Sequence, residues 1–232
     1  MRLVLWDVDG TLVRAGEAGR LAFADAVEEV FGVEFPARLL PKMAGKTDPQ
    51  IALEVLAEIG IDSPASHLPA IEAALVRALT GRVEQIRADG VVLPAGRDAL
   101  DALARPGAVQ TLGTATVTAN ARTKLVAVGL LGEGAGPLRL ELGAYGSDHA
   151  DRDNLVPIAM RRCRDAGLDV AVDGTWVVGD TPRDLACARA GGVRCLLVAT
   201  GGYTLAALEE AGADAVLPDL ADTDRVRALL TA

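Results

Sequence analysis

The segment Asp7-Val8-Asp9-Gly10-Thr11 constrains this chain more than any other feature, because it directly follows the apolar residues 3–6. A short apolar run that ends in a polar turn predicts a buried strand. Carboxylates two residues apart project to the same side of an extended chain, so one could attack a substrate while the other transfers protons. Two such carboxylates repel each other without a cation, and ligands made only of oxygen favour Mg²⁺ over zinc.

A calcium loop and a solvated turn are the alternatives for this segment. An EF-hand loop that began at Asp7 would need Gly at its sixth position and Glu at its twelfth, where this chain has Leu12 and Ala18. The preceding residues also have the pattern of a strand, whereas an EF-hand needs a helix there. The calcium loop is therefore disfavoured.

Strand-like and helical segments alternate after residue 90. The pattern predicts strands at 109–117, 138–142, 175–178, 194–198 and 213–217, and helices at 97–104, 121–128, 154–166, 182–190, 205–211 and 222–230. This alternation predicts an α/β fold, a Rossmann-like three-layer core with a central parallel sheet. No convincing strand occurs in residues 15–90, where segments 17–31, 48–59 and 69–79 have helical periodicity.

The sequence therefore predicts two domains. Residues 1–14 and 91–232 would form the α/β core, and residues 15–90, called the helical insert below, would form an inserted α-helical domain. The predicted hinges lie near residues 13–16 and 89–94.

Polar clusters follow three of the predicted strands, and the carboxyl ends of parallel strands are where such folds place their chemistry. Besides Asp7 and Asp9, Thr118-Ala119-Asn120 offers a hydroxyl and free backbone N–H groups for a phosphate, and Gly179-Asp180-Thr181-Pro182-Arg183-Asp184 offers two metal-binding acids. Helix capping alone is the alternative for both clusters. Arg152 would supply a cation near the carboxylates, unless it is a solvated surface residue.

Taken in order, Asp7-x-Asp9-Gly10-Thr11, Thr118, Arg152 and Gly179-Asp180-x-x-x-Asp184 resemble the four motifs of the haloacid dehalogenase-like superfamily. The resemblance covers essentially the whole chain and is to the phosphoglycolate phosphatase-like branch, in which a helical cap is inserted after the first motif. The helical insert has the position of that cap, and Gly45-Lys46-Thr47-Asp48 resembles a cap loop that reaches into the site. Two departures are Arg152, where Lys is frequent, and Ala119, where Gly or Asn is more usual.

The resemblance implies a Mg²⁺-dependent phosphate-monoester hydrolase that acts on a small phosphorylated metabolite, with phosphoglycolate-like compounds among the candidates. Asp7 would attack phosphorus to form an aspartyl-phosphate, and Asp9 would protonate the leaving oxygen and then activate water. Catalysis would also use Thr118 and Arg152. The implied metal ligands are the Asp7 side chain, the Asp9 carbonyl and Asp180, with Asp184 binding the metal's waters or orienting Arg152. The implied phosphate-binding residues are Asp7, Gly10, Thr11, Thr118, Ala119, Asn120 and Arg152, and those for selectivity in the cap are Lys46 and Thr47.

Other functions of this fold stay open. A phosphosugar mutase would need the same catalytic residues, and a non-catalytic scaffold could retain the fold. A phosphonate hydrolase would need a Schiff-base lysine from the cap, where Lys42 and Lys46 are the candidates and neither has a clearly apolar setting. A dehalogenase needs no metal and would not be expected to keep Asp9.

Composition limits the partners and the setting. A net charge of −9 disfavours extended binding to nucleic acid, because the overall field repels a polyanion. No signal peptide and no run of apolar residues long enough to span a membrane is evident. The three cysteines form no CxxC pair, so we expect a reducing, cytoplasmic setting without a disulfide. We expect a monomer or a small homo-oligomer.

Overall fold

A computed structural model describes residues 1–36, 38, 43–132 and 136–231. In chain order its elements are β1 (Arg2–Trp6), β2 (Val13–Arg14), α1 (Ala18–Phe31), α2 (Asp48–Glu58), α3 (Leu68–Thr80), α4 (Val83–Asp89), β3 (Val91–Val92), α5 (Gly96–Ala102), β4 (Ala108–Thr114), α6 (Thr118–Ala127), β5 (Ala144–Tyr145), α7 (Leu155–Asp165), β6 (Thr175–Gly179), α8 (Pro182–Ala190), β7 (Arg194–Val198), α9 (Leu205–Ala211), β8 (Ala215–Leu217) and α10 (Thr223–Thr231).

Six of these strands form one parallel sheet in the order β5-β4-β1-β6-β7-β8. Strand β1 lies in the middle, and its last paired residue, Trp6, is level with Leu112 of β4 and Val178 of β6. The residues that follow these positions therefore emerge at one edge of the sheet. This arrangement confirms the predicted α/β fold with a parallel sheet.

Helices cover both faces of the sheet, because the central strands are apolar on both sides. On one face, Leu100 of α5, Leu125 of α6 and Leu230 of α10 belong to a core with Val4 and Trp6. On the opposite face, residues of α7, α8 and α9 belong to a second core, which includes Leu155, Leu185 and Leu208. The three layers hold the ends of the strands in fixed positions.

The helical insert has a third hydrophobic core of its own, formed by α1, α2, α3 and α4 around residues such as Phe23, Leu56 and Leu79. The chain enters and leaves the insert through a short antiparallel ribbon in which Val13 pairs with Val92 and Arg14 with Val91. The helical insert has its own core, and the two chain segments that join it to the rest of the protein lie side by side. Both observations favour the predicted domain boundaries at residues 15 and 90, which we retain as a proposal.

Two strand predictions were wrong. The strand predicted at 109–117 ends at Thr114, and α6 begins at Thr118. The segment predicted as a strand at 138–142 contains one bridge at Leu138 and a 3-10 helix at Leu140–Leu142, and the true strand is β5. Apolar periodicity in such short segments does not separate a strand from a single helical turn.

Three further predictions concern the cysteines, membrane-spanning helices and a lysine of the helical insert. Cys163, Cys187 and Cys195 are all buried free thiols, as expected. Within the described ranges no helix combines the length and apolarity that crossing a membrane requires. Lys42, one of the two lysines considered for a Schiff base, lies outside the described residues.

Candidate active site

Asp7 lies at the carboxyl end of β1 and is buried, with 5% of its surface exposed. Its backbone N–H donates to the carbonyl of Val178, at 2.8 Å, which fixes the chain as it leaves the strand. Gly10 then takes a φ of +85°, a conformation that favours glycine. A Cβ at Gly10 would lie 2.5 Å from an oxygen of Asp180, so the turn also needs the missing side chain.

Arg152 is the buried cation beside Asp7. Its Nη2 lies 3.1 Å from Asp7 Oδ1 and also donates to Asp184 Oδ1. Its Nη1 donates to the carbonyl of Gly45, at 2.9 Å. Burial lowers the pKa of Arg152, but the charges of Asp184 and Asp7 outweigh burial and raise the pKa above its ordinary value, so the guanidinium stays charged. The structure therefore brings Arg152 to the carboxylates.

Asp180 and Asp184 come from the turn between β6 and α8. Asp180 accepts a hydrogen bond from the hydroxyl of Thr11, at 3.3 Å. Asp184 accepts from the N–H and the hydroxyl of Thr181, at 3.0 and 2.7 Å, and completes a capping box at the start of α8. Asp184 thus caps the helix, whereas Asp180 faces the cavity.

Asp7, Asp180 and Asp184 have carboxylate oxygens within 4.8 Å of one another, all buried. Burial raises the pKa of Asp7 to about 7, with smaller effects of Arg152 in the lowering direction and of Asp184 in the raising direction. Burial, together with the charges of Asp184 and Asp7, raises the pKa of Asp180 to about 8. Arg152 alone therefore does not balance the negative charge of the cluster.

A divalent cation fits this cluster. The donors are oxygens only, and Asp7 and Asp180 both face the same cavity. Hard cations such as Mg²⁺ prefer such ligands, and their charge offsets the cost of burying several carboxylates together. The cluster contains two of the predicted Mg²⁺ ligands, Asp7 and Asp180. Asp184, predicted to bind the metal's waters or to orient Arg152, accepts hydrogen bonds from Thr181 and Arg152.

The predicted phosphate segment Thr118-Ala119-Asn120 does not line the cavity in the described structure. The hydroxyl of Thr118 bonds to that of Ser147 at 2.8 Å, and the amide of Asn120 donates to the carbonyl of Leu75 in α3, at 3.4 Å. Thr114 instead ends β4 inside the cavity, is 1% exposed, and its side chain hydrogen-bonds Asp7. The threonine that ends β4 at the cavity is thus Thr114, four residues before the predicted Thr118.

Asp9 lies at the same cavity, and its side chain is 43% exposed. Its Oδ2 accepts hydrogen bonds from the hydroxyl of Thr116, at 3.1 Å, and from the ammonium of Lys124. Sequence reasoning missed both donors, as well as Thr114. Lys124 could have been found, since helical periodicity puts it on the same face of α6 as the buried Asn120 and Ala121.

Residues 45–48 of the helical insert close one side of the cavity, which has a volume of about 520 Å³. Gly45, Lys46 and Asp48 line it, together with Arg14, Arg20 and Phe23. Lys46 forms an ion pair with Glu54, whereas Thr47 is fully buried, donates to the carbonyl of Ala150 and caps α2. Of the two residues predicted for selectivity, only Lys46 faces the cavity.

Comparison with known proteins finds a family match to part of the chain and solved structures of the same fold. A model of the HAD-hydrolase-like family matches residues 155–223, and no curated protein matches the chain. A hydrolase from Pseudomonas syringae has a TM-score of 0.73 at 18% identity, with 100% of both chains covered. CbbY from Rhodobacter sphaeroides in complex with phosphate has a TM-score of 0.69 at 20% identity, with 96% of both chains covered. A putative beta-phosphoglucomutase from Bacteroides vulgatus has a TM-score of 0.66 at 15% identity, with 100% of this chain and 90% of that chain covered.

At these identities the solved structures show the fold, and the family model covers the segment that carries Asp180 and Asp184. The match over residues 155–223 agrees with the resemblance to the haloacid dehalogenase-like superfamily that the order of the motifs indicates, and the solved structures share the fold.

Proposed function

We propose that the chain is a Mg²⁺-dependent phosphate-monoester hydrolase whose nucleophile is Asp7. The observation that carries the proposal is the buried contact of Asp7 with Arg152, 3.1 Å apart, beside two further buried carboxylates in an open cavity. An arginine held this way can stabilise both the nucleophile and the charge that develops on a transferred phosphoryl group. The named relatives support the class of substrate, since CbbY is described with bound phosphate.

The described side chains can be given roles in this reaction. Asp7 attacks phosphorus, which breaks the bond to the leaving oxygen and forms an aspartyl-phosphate. Asp9 gives a proton to that oxygen and then takes one from the water that hydrolyses the intermediate. Mg²⁺, held by Asp7, Asp180 and the Asp9 carbonyl, would neutralise charge on the phosphoryl oxygens when bound. Arg152 would donate to the phosphoryl oxygens beside Asp7, and Asp184 accepts a hydrogen bond from Arg152 and so holds it in place.

The substrate we propose is a small phosphorylated metabolite, because the cavity of about 520 Å³ is closed on one side by the helical insert. A phosphoglycolate-like compound is one candidate. A phosphosugar mutase remains the second candidate function, since a relative of the same fold is described as a putative beta-phosphoglucomutase.

Release of p-nitrophenol from p-nitrophenyl phosphate tests the function. We expect turnover with Mg²⁺ and its loss in EDTA, and we expect Mg²⁺ to raise the unfolding temperature because it binds carboxylates that repel each other. Protein that is folded and stabilised by Mg²⁺ but inactive on a broad set of phosphate esters would contradict hydrolysis and favour the mutase or a scaffold.

The position of the phosphate-binding threonine can be tested with one matched pair. Thr114→Val removes the hydroxyl beside Asp7, so we expect kcat/KM to fall about 10- to 100-fold, somewhat less than loss of an oxyanion donor costs. Thr118→Val removes a hydroxyl that bonds to Ser147 outside the cavity, so we expect a change within about twofold. The reverse order of effects would restore the prediction made for Thr118.

Lys46 is proposed to set substrate preference, because it reaches the cavity from the helical insert. Lys46→Ala should raise KM for the preferred natural phosphate by about 10-fold, the effect of one lost charged hydrogen bond, and leave p-nitrophenyl phosphate within about twofold. The measurement is a screen of phosphorylated metabolites with both proteins. Equal losses on natural and artificial esters would contradict a role in selectivity.

A further inference from the structure

Lys124 is a buried lysine that the proposed reaction does not yet use. It lies on α6 with 7% of its surface exposed, and its ammonium donates to Asp9 Oδ2 and, at 3.3 Å, to the hydroxyl of Thr116. Burying an ammonium is costly unless it is paired. Burial lowers the pKa of Lys124, but the charges of Asp9 and Asp48 outweigh it and raise the pKa above its ordinary value. The lysine is therefore charged in the site.

The two donors hold one oxygen of Asp9 and leave the other available. Thr116 and Lys124 both bond to Oδ2, and Oδ1 accepts no hydrogen bond from the part of the chain that the structure describes. A carboxylate held at one oxygen keeps a defined orientation of the other, which is the requirement for transferring a proton to a reacting atom.

Asp48, a residue of the helical insert, lies near Lys124. Its N–H donates to the carbonyl of Ala115 at 3.0 Å, and its Oδ2 accepts from the N–H of Val117 at 2.8 Å. Its negative charge acts on Lys124, as that of Asp9 does. Residues 45–48 are further held to the core by the bonds of Gly45 to Arg152 and of Thr47 to Ala150.

We propose that Lys124 is a positioning residue for Asp9, and that Asp48 completes its site when residues 45–48 of the helical insert dock on the core. The inference rests on the proposed function. In the docked arrangement, Lys124 is paired with Asp9 of the core and feels the charge of Asp48 of the helical insert, Gly19 of α1 lies beside its ammonium, and bulk water is kept from most of the side chain. Docking of the insert thereby fixes the proton-transferring carboxylate as well as covering the cavity.

The test compares Lys124→Met in the wild-type and Asp9→Asn backgrounds. Methionine keeps the length of the side chain and removes its charge. Phenyl phosphate has a leaving group that needs a proton donor. On this substrate we expect kcat of the single variant to fall about 10- to 100-fold, with KM within about twofold. This loss is a part of the rate enhancement of roughly 10²–10⁴ that general acid–base catalysis supplies. On p-nitrophenyl phosphate, which needs less help, the loss should be smaller.

The double variant decides between positioning and a structural role. If Lys124 acts through Asp9, adding Lys124→Met to Asp9→Asn should change kcat on p-nitrophenyl phosphate by less than about twofold. An equal loss in both backgrounds would overturn the inference while leaving the hydrolase function intact. An inactive wild type would overturn the function and the inference together.

Other variants cover the case that Lys124→Met does not fold, which thermal unfolding would reveal. Lys124→Arg keeps a donor for Asp9 and should retain most of kcat. Asp48→Asn keeps the acceptor for the Val117 N–H and removes the charge, so a smaller loss of kcat on phenyl phosphate is expected, again absent in the Asp9→Asn background. Unchanged kcat in Asp48→Asn would overturn the part assigned to the helical insert. Arg122→Met, an exposed cation on the same helix, is the matched control.

Discussion

Replacing Asp7 by Asn is expected to abolish hydrolysis of p-nitrophenyl phosphate, with kcat lower by on the order of 10⁴–10⁶, the usual cost of removing a nucleophile. The amide cannot form the covalent intermediate, and no other carboxylate occupies its position at the end of β1. Because burial raises the pKa of Asp7, the wild-type carboxylate is costly to keep ionised, and the amide avoids that cost. We therefore expect Asp7→Asn to unfold at an equal or higher temperature without Mg²⁺.

The two readouts separate loss of chemistry from loss of structure. Asp98→Asn makes the same chemical change on the exposed surface of α5 and should leave kcat and the unfolding temperature unchanged. Retained turnover in Asp7→Asn would assign the nucleophile to another residue. A much lower unfolding temperature would instead show that the Asp7–Arg152 pair is chiefly structural.

Replacing Arg152 by Met should have the largest effect on stability. The guanidinium lies between Asp7 and Asp184, and its removal leaves buried carboxylates without their cation, which typically costs about 3–5 kcal/mol of unfolding free energy. The lost hydrogen bonds to the transferred phosphoryl group should lower kcat by about 10²–10³ in protein that remains folded. Urea unfolding and steady-state kinetics measure the two effects.

Mg²⁺ and a matched arginine provide the controls for Arg152→Met. Added Mg²⁺ should recover part of the lost stability, because it supplies positive charge to the same carboxylates. Arg162→Met breaks a partly exposed ion pair between α7 and Asp148, with bonds of 2.7 Å, and should cost less, about 1 kcal/mol. Similar destabilisation by the two variants would contradict a special role for the buried arginine.

Most of the charged residues of the candidate site could be predicted from the sequence. Asp7, Asp180 and Asp184 stand in turns that follow apolar strands, and such a pattern is local enough to read without coordinates. Arg152 was identified through the order of motifs, and the structure then gave its contacts with Asp7 and Asp184. The carboxyl ends of parallel strands meet at one edge, so these predictions also implied that the residues would be close.

The threonine that we propose to bind phosphate, Thr114, could not be located in the same way. Residues 114–118 contain three threonines and one valine, all β-branched, and each fits a strand as well as a turn. Strand β4 pairs with β1 as far as Leu112 and with β5 as far as Thr114, so these long-range pairings decide where the strand ends. Thr114 therefore lies two residues beyond the position level with Trp6, at the edge of the sheet where Asp7 emerges, whereas Thr118 starts the next helix.

Local patterns of the sequence thus determined the alternation of strands and helices, the place of the helical insert and the acidic turns, because each depends on residues within a few positions of one another. The tertiary structure alone decided that Lys124 and Asp48 reach the surroundings of Asp9, across separations of 115 residues for Lys124–Asp9 and 69 for Asp48–Val117. The physical reason is that strand order and the docking of the insert fix these distances, and both arise from burying apolar surface over the whole chain.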